Sequence, residues 1–305
     1  MKQLLDLRGI ITVLNTPFLD DNTLDLEGVQ RNVRYAIHAG VAGFLVPAMA
    51  SEVGKLSAHE RLRLVETVVT TAAGRVPVIG GASAPQQSER TNAARELIEL
   101  GCEGILVNIP YESEAPYRSD VLEIASLTPK FLMLQDWDFT GAGLPLSLIV
   151  ELFRDVEAFR CLKIETANAN LKYTQVLDAT QGRLHVSGGW AVQQMIEGLD
   201  RGVHAFMPTG LHRTYARIFE RHAAGDREAA VALFHRLCPV LTFSNQHLDV
   251  SIHFFKRLLH AQGIHATSRV REPIQPFDAF QERRAAELIE LSVRMENELT
   301  EPTIT

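Results

Sequence analysis

Short apolar runs punctuate this chain, and each is followed by a stretch with helical periodicity. The runs are "IITVL" (10–14), "GFLVPA" (43–48), "PVIGG" (77–81), "GILVN" (104–108), "FLMLQ" (131–135), "RCLKI" (160–164), "LHVSG" (184–188) and "HAFMP" (204–208). Their starts lie 33, 34, 27, 27, 29, 24 and 20 residues apart, the spacing of β-α units. Near-continuous apolar character marks parallel strands covered on both faces. The intervening segments carry helix signals. "SAHERLRLVETVV" opens with Ser57 and places Glu60 three residues later, a capping-box pattern. "AIHAG", "TAAG", "ELIELG" and "GLDRG" each stop at a glycine, as a left-handed C-cap favours. Eight alternating units within residues 1–225 predict an α/β fold, a closed (β/α)8 TIM barrel. An open doubly wound sheet is the alternative, weakened because no G-x-G-x-x-G follows the first strand.

After Gly225 the pattern changes. Helical stretches over 226–243, 247–262 and 277–299 follow with no strand runs between them, and "VREPIQPFDA" (270–279) is a Pro-bearing connector. The expected organisation is a barrel over 1–225 and a helical appendage over 226–305, packed beside it.

Composition narrows the function. Apolar residues make up 46% of 305, enough for a sizeable core. Net charge is −7 with both signs mixed, and no basic block tracks a phosphate backbone, which argues against nucleic acid. Cys102, Cys161 and Cys238 are far apart and odd in number, which suggests a reducing compartment. "MKQLLDLRGIITVL" is broken by Asp6, Arg8 and Gly9 and lacks a small-residue cleavage site, so it does not read as a signal peptide. No apolar stretch reaches membrane-spanning length. A cytoplasmic protein without membrane association is expected.

One of only six lysines, Lys163, stands inside the apolar run Phe159–Ile164. A buried ammonium is costly unless it is paired or neutral. In water roughly one lysine in 10³–10⁴ is neutral at pH 7, and desolvation raises that fraction. A neutral amine can attack a ketone to form a Schiff base, which then draws electrons from the neighbouring carbon. The alternative is a structural lysine paired with Glu165, which lies two residues on and on the same face. Glu165 is either an acid/base or a rim carboxylate.

A barrel places its site at the C-terminal ends of its strands. There the second strand runs into "PAMASEVGKLS". Met49, Ala50 and Ser51 can bring backbone N–H groups to a carboxylate, or simply form a tight loop. Tyr111 follows the fourth strand and can relay a proton or merely pack. Gln135 and Asp136 end the fifth and are candidates for substrate hydroxyls. Gly188 and Met207 end the seventh and eighth and can line a substrate. Glycines there can also cradle a phosphate, but no basic residue stands nearby. A metal would need more ligands, because His185 and His204 begin their strands and sit at the opposite face. Neither metal nor organic cofactor is expected.

Together these residues resemble the dihydrodipicolinate synthase / N-acetylneuraminate lyase family along almost the whole chain. "NTPF" resembles its T-P-F after the first strand, "PAMASEVGKLS" its G-T-T-G-E-x-x-x-L-S loop, "VNIPY" its fourth strand, "CLKIE" its I-K-E segment and "VREPIQPF" its late R-x-P-L segment. The resemblance implies a (β/α)8 fold, Lys163 as the imine nucleophile, a 2-oxo acid held by backbone near Ala50 and Ser51, and a homo-oligomer, dimer or tetramer. This chain is divergent. Met49 and Ala50 stand in place of two threonines, Glu112 in place of a second tyrosine, and Leu134 or Gln135 in place of the fifth-strand tyrosine that relays protons. The arginine that holds a second carboxylate in the synthases falls at Phe139. The L-K-x-E and Q-D pattern resembles a branch that includes keto-deoxy sugar acid dehydratases. The expected function is therefore a class I lyase that cleaves or dehydrates a 2-oxo-3-deoxy sugar acid. Glu165 and Tyr111 are candidates for proton transfer. A non-catalytic 2-oxo-acid-binding homologue and a true pyruvate-condensing synthase are the rivals.

Overall fold

The structure, a computed structural model, describes residues 6–299 apart from the side chain of Ala191. Met1–Leu5, part of the segment read against a signal peptide, and residues 300–305, the end of the expected appendage, lie outside the described residues. Eight parallel strands close into a barrel in sequence order. They are β1 (Gly9–Val13), β2 (Gly43–Val46), β3 (Val78–Gly81), β4 (Gly104–Val107), β5 (Phe131–Asp138), β6 (Phe159–Thr166), β7 (His185–Gly188) and β8 (Ala205–Phe206). All eight apolar runs contain the strand expected of them. β5 and β6 run further than their apolar residues indicate, because they keep pairing through Trp137↔Glu165 and Asp138↔Thr166.

Helices α1 (Leu26–His38), α2 (Ala58–Ala72), α3 (Gln87–Glu99), α4 (Glu114–Ala125), α5 (Leu146–Asp155), α6 (Ala169–Thr180), α7 (Met195–Asp200) and α8 (His212–Ala223) follow the strands in turn. Ser57 and Glu60 make the expected reciprocal cap on α2: Glu60 N–H donates to Ser57 Oγ and Ser57 N–H to Glu60 Oε2. Gly101 ends α3 with φ at 94°, a conformation that a side chain disfavours. The strands are buried on both faces. Ile11, Val13, Leu45, Ile79, Leu106 and Met133 fill the barrel interior, while Ile10, Phe44, Val46, Ile105, Leu132 and Leu162 pack outward under the helices. This two-sided burial accounts for the unalternating runs.

The chain ends in α9 (Arg227–Ser244), α10 (Leu248–Ala261) and α11 (Ala279–Glu298), matching the three expected stretches. α9 and α11 pack beside the barrel against α8, as an appendage would, while α10 reaches further. Lys256 on α10 pairs with Glu52 in the loop after β2, Nζ to Oε1 2.6 Å, and both side chains are fully buried. α10 thus lies over the mouth of the barrel.

Candidate active site

Successive side chains of a strand point to opposite faces, so Gln135 and Trp137 on β5 share the inner face with Lys163 and Glu165 on β6. The register pairs Gln135 with Lys163 and Trp137 with Glu165. Lys163 is buried at 6% exposure, and its Nζ lies 3.0 Å from Glu165 Oε2. Gln135 Nε2 donates to the same oxygen at 2.5 Å, and the Trp190 N–H donates to Glu165 Oε1 at 2.5 Å. Burial alone would raise the Glu165 carboxyl. The Lys163 charge, the Trp190 N–H and the Lys163 and Gln135 hydrogen bonds outweigh it and hold the group below the usual carboxylate range. Glu165, 3.0 Å away, can accept the proton that an amine must lose before attacking a carbonyl.

These residues floor a cavity of about 510 Å³ at the C-terminal end of the barrel. Met49, Ala50, Gln135, Lys163, Glu165 and Met207 all line it. The loop carrying Met49 and Ala50 is pinned from below. Asn15 Nδ2 donates to Ala50 O at 2.9 Å and Thr16 Oγ1 to Ser51 O at 2.6 Å. Residues 49–51 form a single 3-10 turn. The Ser51 N–H is taken by Ala48 O at 2.9 Å, so the N–H groups at the head of the turn belong to Met49 and Ala50.

Four expected residues are not brought to the cavity. Ser51 is fully buried, and its hydroxyl donates to Leu14 O at 2.6 Å. Asp136 points outward from β5 to a salt bridge with Lys172 at 3.1 Å and accepts the Leu144 N–H at 2.8 Å. Burial raises its carboxyl and the Lys172 charge opposes the shift. Gly188 also faces outward, against the Tyr173 hydroxyl and the Phe206 ring. Its neighbour Gly189 lines the cavity, and a Cβ there would overlap Glu165 Oε1 and Lys163 Cε. Tyr111 is 39% exposed and packs edge-on against Tyr117, away from Lys163. The period of two carried the signal for Asp136 and Gly188: Gln135 and Asp136 cannot both face inward, nor can Gly188 and Gly189.

Other lining residues were given no binding role from the sequence, where Phe139 stood only in place of an arginine. Trp137, Phe139 and Trp190 form an aromatic wall above Lys163, with ring centroids 5.6 Å and 6.3 Å apart in edge-to-face contacts. The loop after β5 that carries Phe139 is held rigidly. Asp138 accepts the N–H groups of Thr140, Gly141 and Gly143, and Lys172 donates to the carbonyls of Ala142 and Leu144. α10 and the segment before it also contribute Gln246, His247, Leu248, Ser251 and Phe255 to the lining. The buried Lys256–Glu52 pair ties this helix to the Met49–Ala50 loop. Lys55 Nζ and the Arg271 N–H add bonds to Glu52 at 3.3 and 3.0 Å, and Lys256 Nζ sits 4.1 Å from the Phe18 ring centroid. Burial pulls the Lys256 ammonium down to about 8, against the pull of the Glu52 charge.

His185 and His204 stack at the opposite end of the barrel, 5.0 Å between centroids. Among the described residues no group of three or more His, Cys, Asp or Glu is placed to hold a metal ion, and no helix is long and apolar enough to cross a membrane.

Comparison with known proteins joins this geometry to a family. The model of the dihydrodipicolinate synthetase family matches residues 6–291. A 4-hydroxy-tetrahydrodipicolinate synthase of Methanosphaerula palustris is 26% identical over 288 residues, 89% of this chain and 94% of that protein. An L-2-keto-3-deoxyarabonate dehydratase of Azospirillum brasilense is 28% identical over 280 residues, 88% of each. The fold matches the crystal structure of dihydrodipicolinate synthase from Rhodopseudomonas palustris with a TM-score of 0.87 at 21% identity, covering 95% of this chain and 99% of that one. The chain therefore belongs to the dihydrodipicolinate synthetase family and is an enzyme of its lyase and synthase type.

Proposed function

We propose that this enzyme is a class I lyase that forms a Schiff base between Lys163 and C2 of a 2-oxo acid. The observation that carries this reading is the Lys163 amine, buried 3.0 Å from Glu165 at the floor of the barrel-mouth cavity. The N–H groups of Met49 and Ala50 receive the substrate carboxylate. Nζ attacks C2, the carbonyl oxygen leaves as water, and Glu165 takes and returns protons. The protonated imine is an electron sink. With a hydroxyl at C4, loss of its proton breaks C3–C4 and releases an aldehyde. Loss of a C3 proton instead expels the hydroxyl as water. Gln135 orients Glu165, and Met207 closes the floor. The enzyme works as a homo-oligomer in the cytoplasm, without metal or organic cofactor.

A 2-oxo-3-deoxy sugar acid is the substrate that the likeness to the dehydratase supports, and Ser83, Asn108 and Asn245 offer polar contacts to its hydroxyls. The aromatic wall favours a different far end. The test of the shared chemistry is borohydride reduction in the presence of pyruvate, followed by peptide mass spectrometry. One adduct on Lys163 is expected. Labelling of a different lysine, or none, would overturn the reading.

A further inference from the structure

We propose that the outer half of the cavity selects a 4-hydroxy-2-oxo acid whose far end is an uncharged aromatic ring, cleaved to pyruvate and an aromatic aldehyde. The inference rests on imine formation at Lys163 and names the substrate for it. Trp137 stands two residues beyond Gln135 on the same face of β5, level with Glu165 in the register. Two residues of strand rise about 6.6 Å, so its ring meets a bound chain beyond C4, where the substituent begins. Phe139 and Trp190 extend the wall at the edge-to-face distances that aromatic pairs prefer, and a substrate ring packed against such a cluster gains contacts of the same kind. Val53, Leu248 and Phe255 add further apolar surface to the lining.

Charge points the same way. The charged side chains among the described lining residues are Lys163 and Glu165, paired at the inner end. Tyr215, buried, and His247 are the other titratable groups of the lining, and His247 Nδ1 lies 3.8 Å from Asp249. No arginine or second lysine lines the outer half to pair with a phosphate or a distant carboxylate. The rings are also presented rather than loosely hung, because Asp138 and Lys172 bind the backbone of the loop carrying Phe139. A cavity of about 510 Å³ has room for a carboxylate, a four-carbon chain and a ring.

The reaction balances without an added reactant. Lys163 Nζ bonds to C2 and the ketone oxygen leaves as water. The C4 hydroxyl gives up its proton, and the C3–C4 bond breaks. Its electron pair moves to C3 and is held as the enamine, while the aryl carbon departs as the aldehyde. C3 then takes a proton, and water returns to C2 to free pyruvate and Lys163.

The test compares 4-hydroxy-2-oxo-4-phenylbutanoate with 2-oxo-3-deoxypentonate, reading substrate loss by mass spectrometry, with pyruvate trapping on Lys163 in parallel. The expected kcat/KM for the aryl substrate is higher by about tenfold or more, the scale of one or two ring contacts. Trp137→Ala and Phe139→Ala, at exposed positions of 43% and 51%, should each pull that ratio down severalfold. A ratio below one, or one that neither variant moves, overturns the proposal. So does a change in oligomer mass in these variants with the ratio intact, which would assign the rings to a subunit contact. Trapping without aryl preference sinks this inference alone, whereas absence of trapping sinks the imine reading beneath it.

Discussion

Gln135 Nε2 lies 2.5 Å from Glu165 Oε2, so a carboxamide stands beside Lys163 where the resemblance led us to look for a tyrosine hydroxyl. A carboxamide cannot pass a proton as a phenol does. Proton transfer near the imine is left to Glu165. Glu165→Gln should still trap the imine yet lose turnover by about 10²–10⁴-fold, the worth of a general acid/base. Turnover close to the parent enzyme would reduce Glu165 to a partner of Lys163.

Condensation of pyruvate with aspartate semialdehyde requires a second carboxylate to be held at the entrance. Phe139, the residue that the resemblance sets against the arginine of the synthases, lines the cavity, and a phenyl ring offers no bidentate donor. A coupled assay with both substrates should show little above background. Rates of order 1 s⁻¹ or more would reinstate the synthase.

Gly189 is irreplaceable for reasons of space. Its missing side chain leaves the room that Glu165 Oε1 and Lys163 Cε occupy. Gly189→Ala should displace both, and a shift of about 1 Å at reacting groups costs on the order of 10²-fold. The rate of borohydride-trapped adduct formation reads this directly. An unchanged rate in a folded variant would show that the pair tolerates displacement.

Much of this was legible in the sequence, for stated reasons. Two-sided burial wrote all eight strands as apolar runs, and Lys163 was conspicuous as a charge within one of them. Placement within the site was harder. The alternation of β5 and β7 sends Asp136 and Gly188 outward, and the pattern contained that information once Lys163 and Gln135 faced inward. Tyr111 lies beyond Pro110 in a loop, where no periodicity fixes direction. Phe255 and Leu248 reach the cavity only because α10 folds back over it, a contact between segments some 200 residues apart in the chain, as for Lys256 and Glu52. No local pattern encodes such a contact.

Acid should weaken the fold early. Burial pushes five histidines down: His185 to about 3, His204 to about 4, His212 to about 3, His265 to about 3, and His253 in the same direction. Each folded value lies below the unfolded value of about 6.5, so the unfolded chain binds protons that the folded one refuses. Stability is then flat above about pH 7 as far as these groups are concerned, and falls as pH drops from about 6.5 toward 4. Each group contributes a slope approaching ~1.4 kcal/mol per pH unit. Urea midpoints across that range should fall with a slope of several protons. A level profile would mean that the histidines are hydrated in solution.

The buried Lys256–Glu52 pair has a consequence for where this chain can be cut. Shortening it after Gly225 would remove α10 with Lys256 and the Arg271 N–H, leave Lys55 as the remaining side-chain partner of Glu52, and uncover the face of α8 against which α9 and α11 pack. Exposing a large buried apolar side chain costs roughly 1.5–3 kcal/mol, and a few such losses are a large part of a domain's total stability. Such a truncation should yield insoluble or molten protein, not a minimal barrel. α10 therefore acts as a lid, and α9 and α11 as the buttress beside it, without which the vessel does not hold its shape.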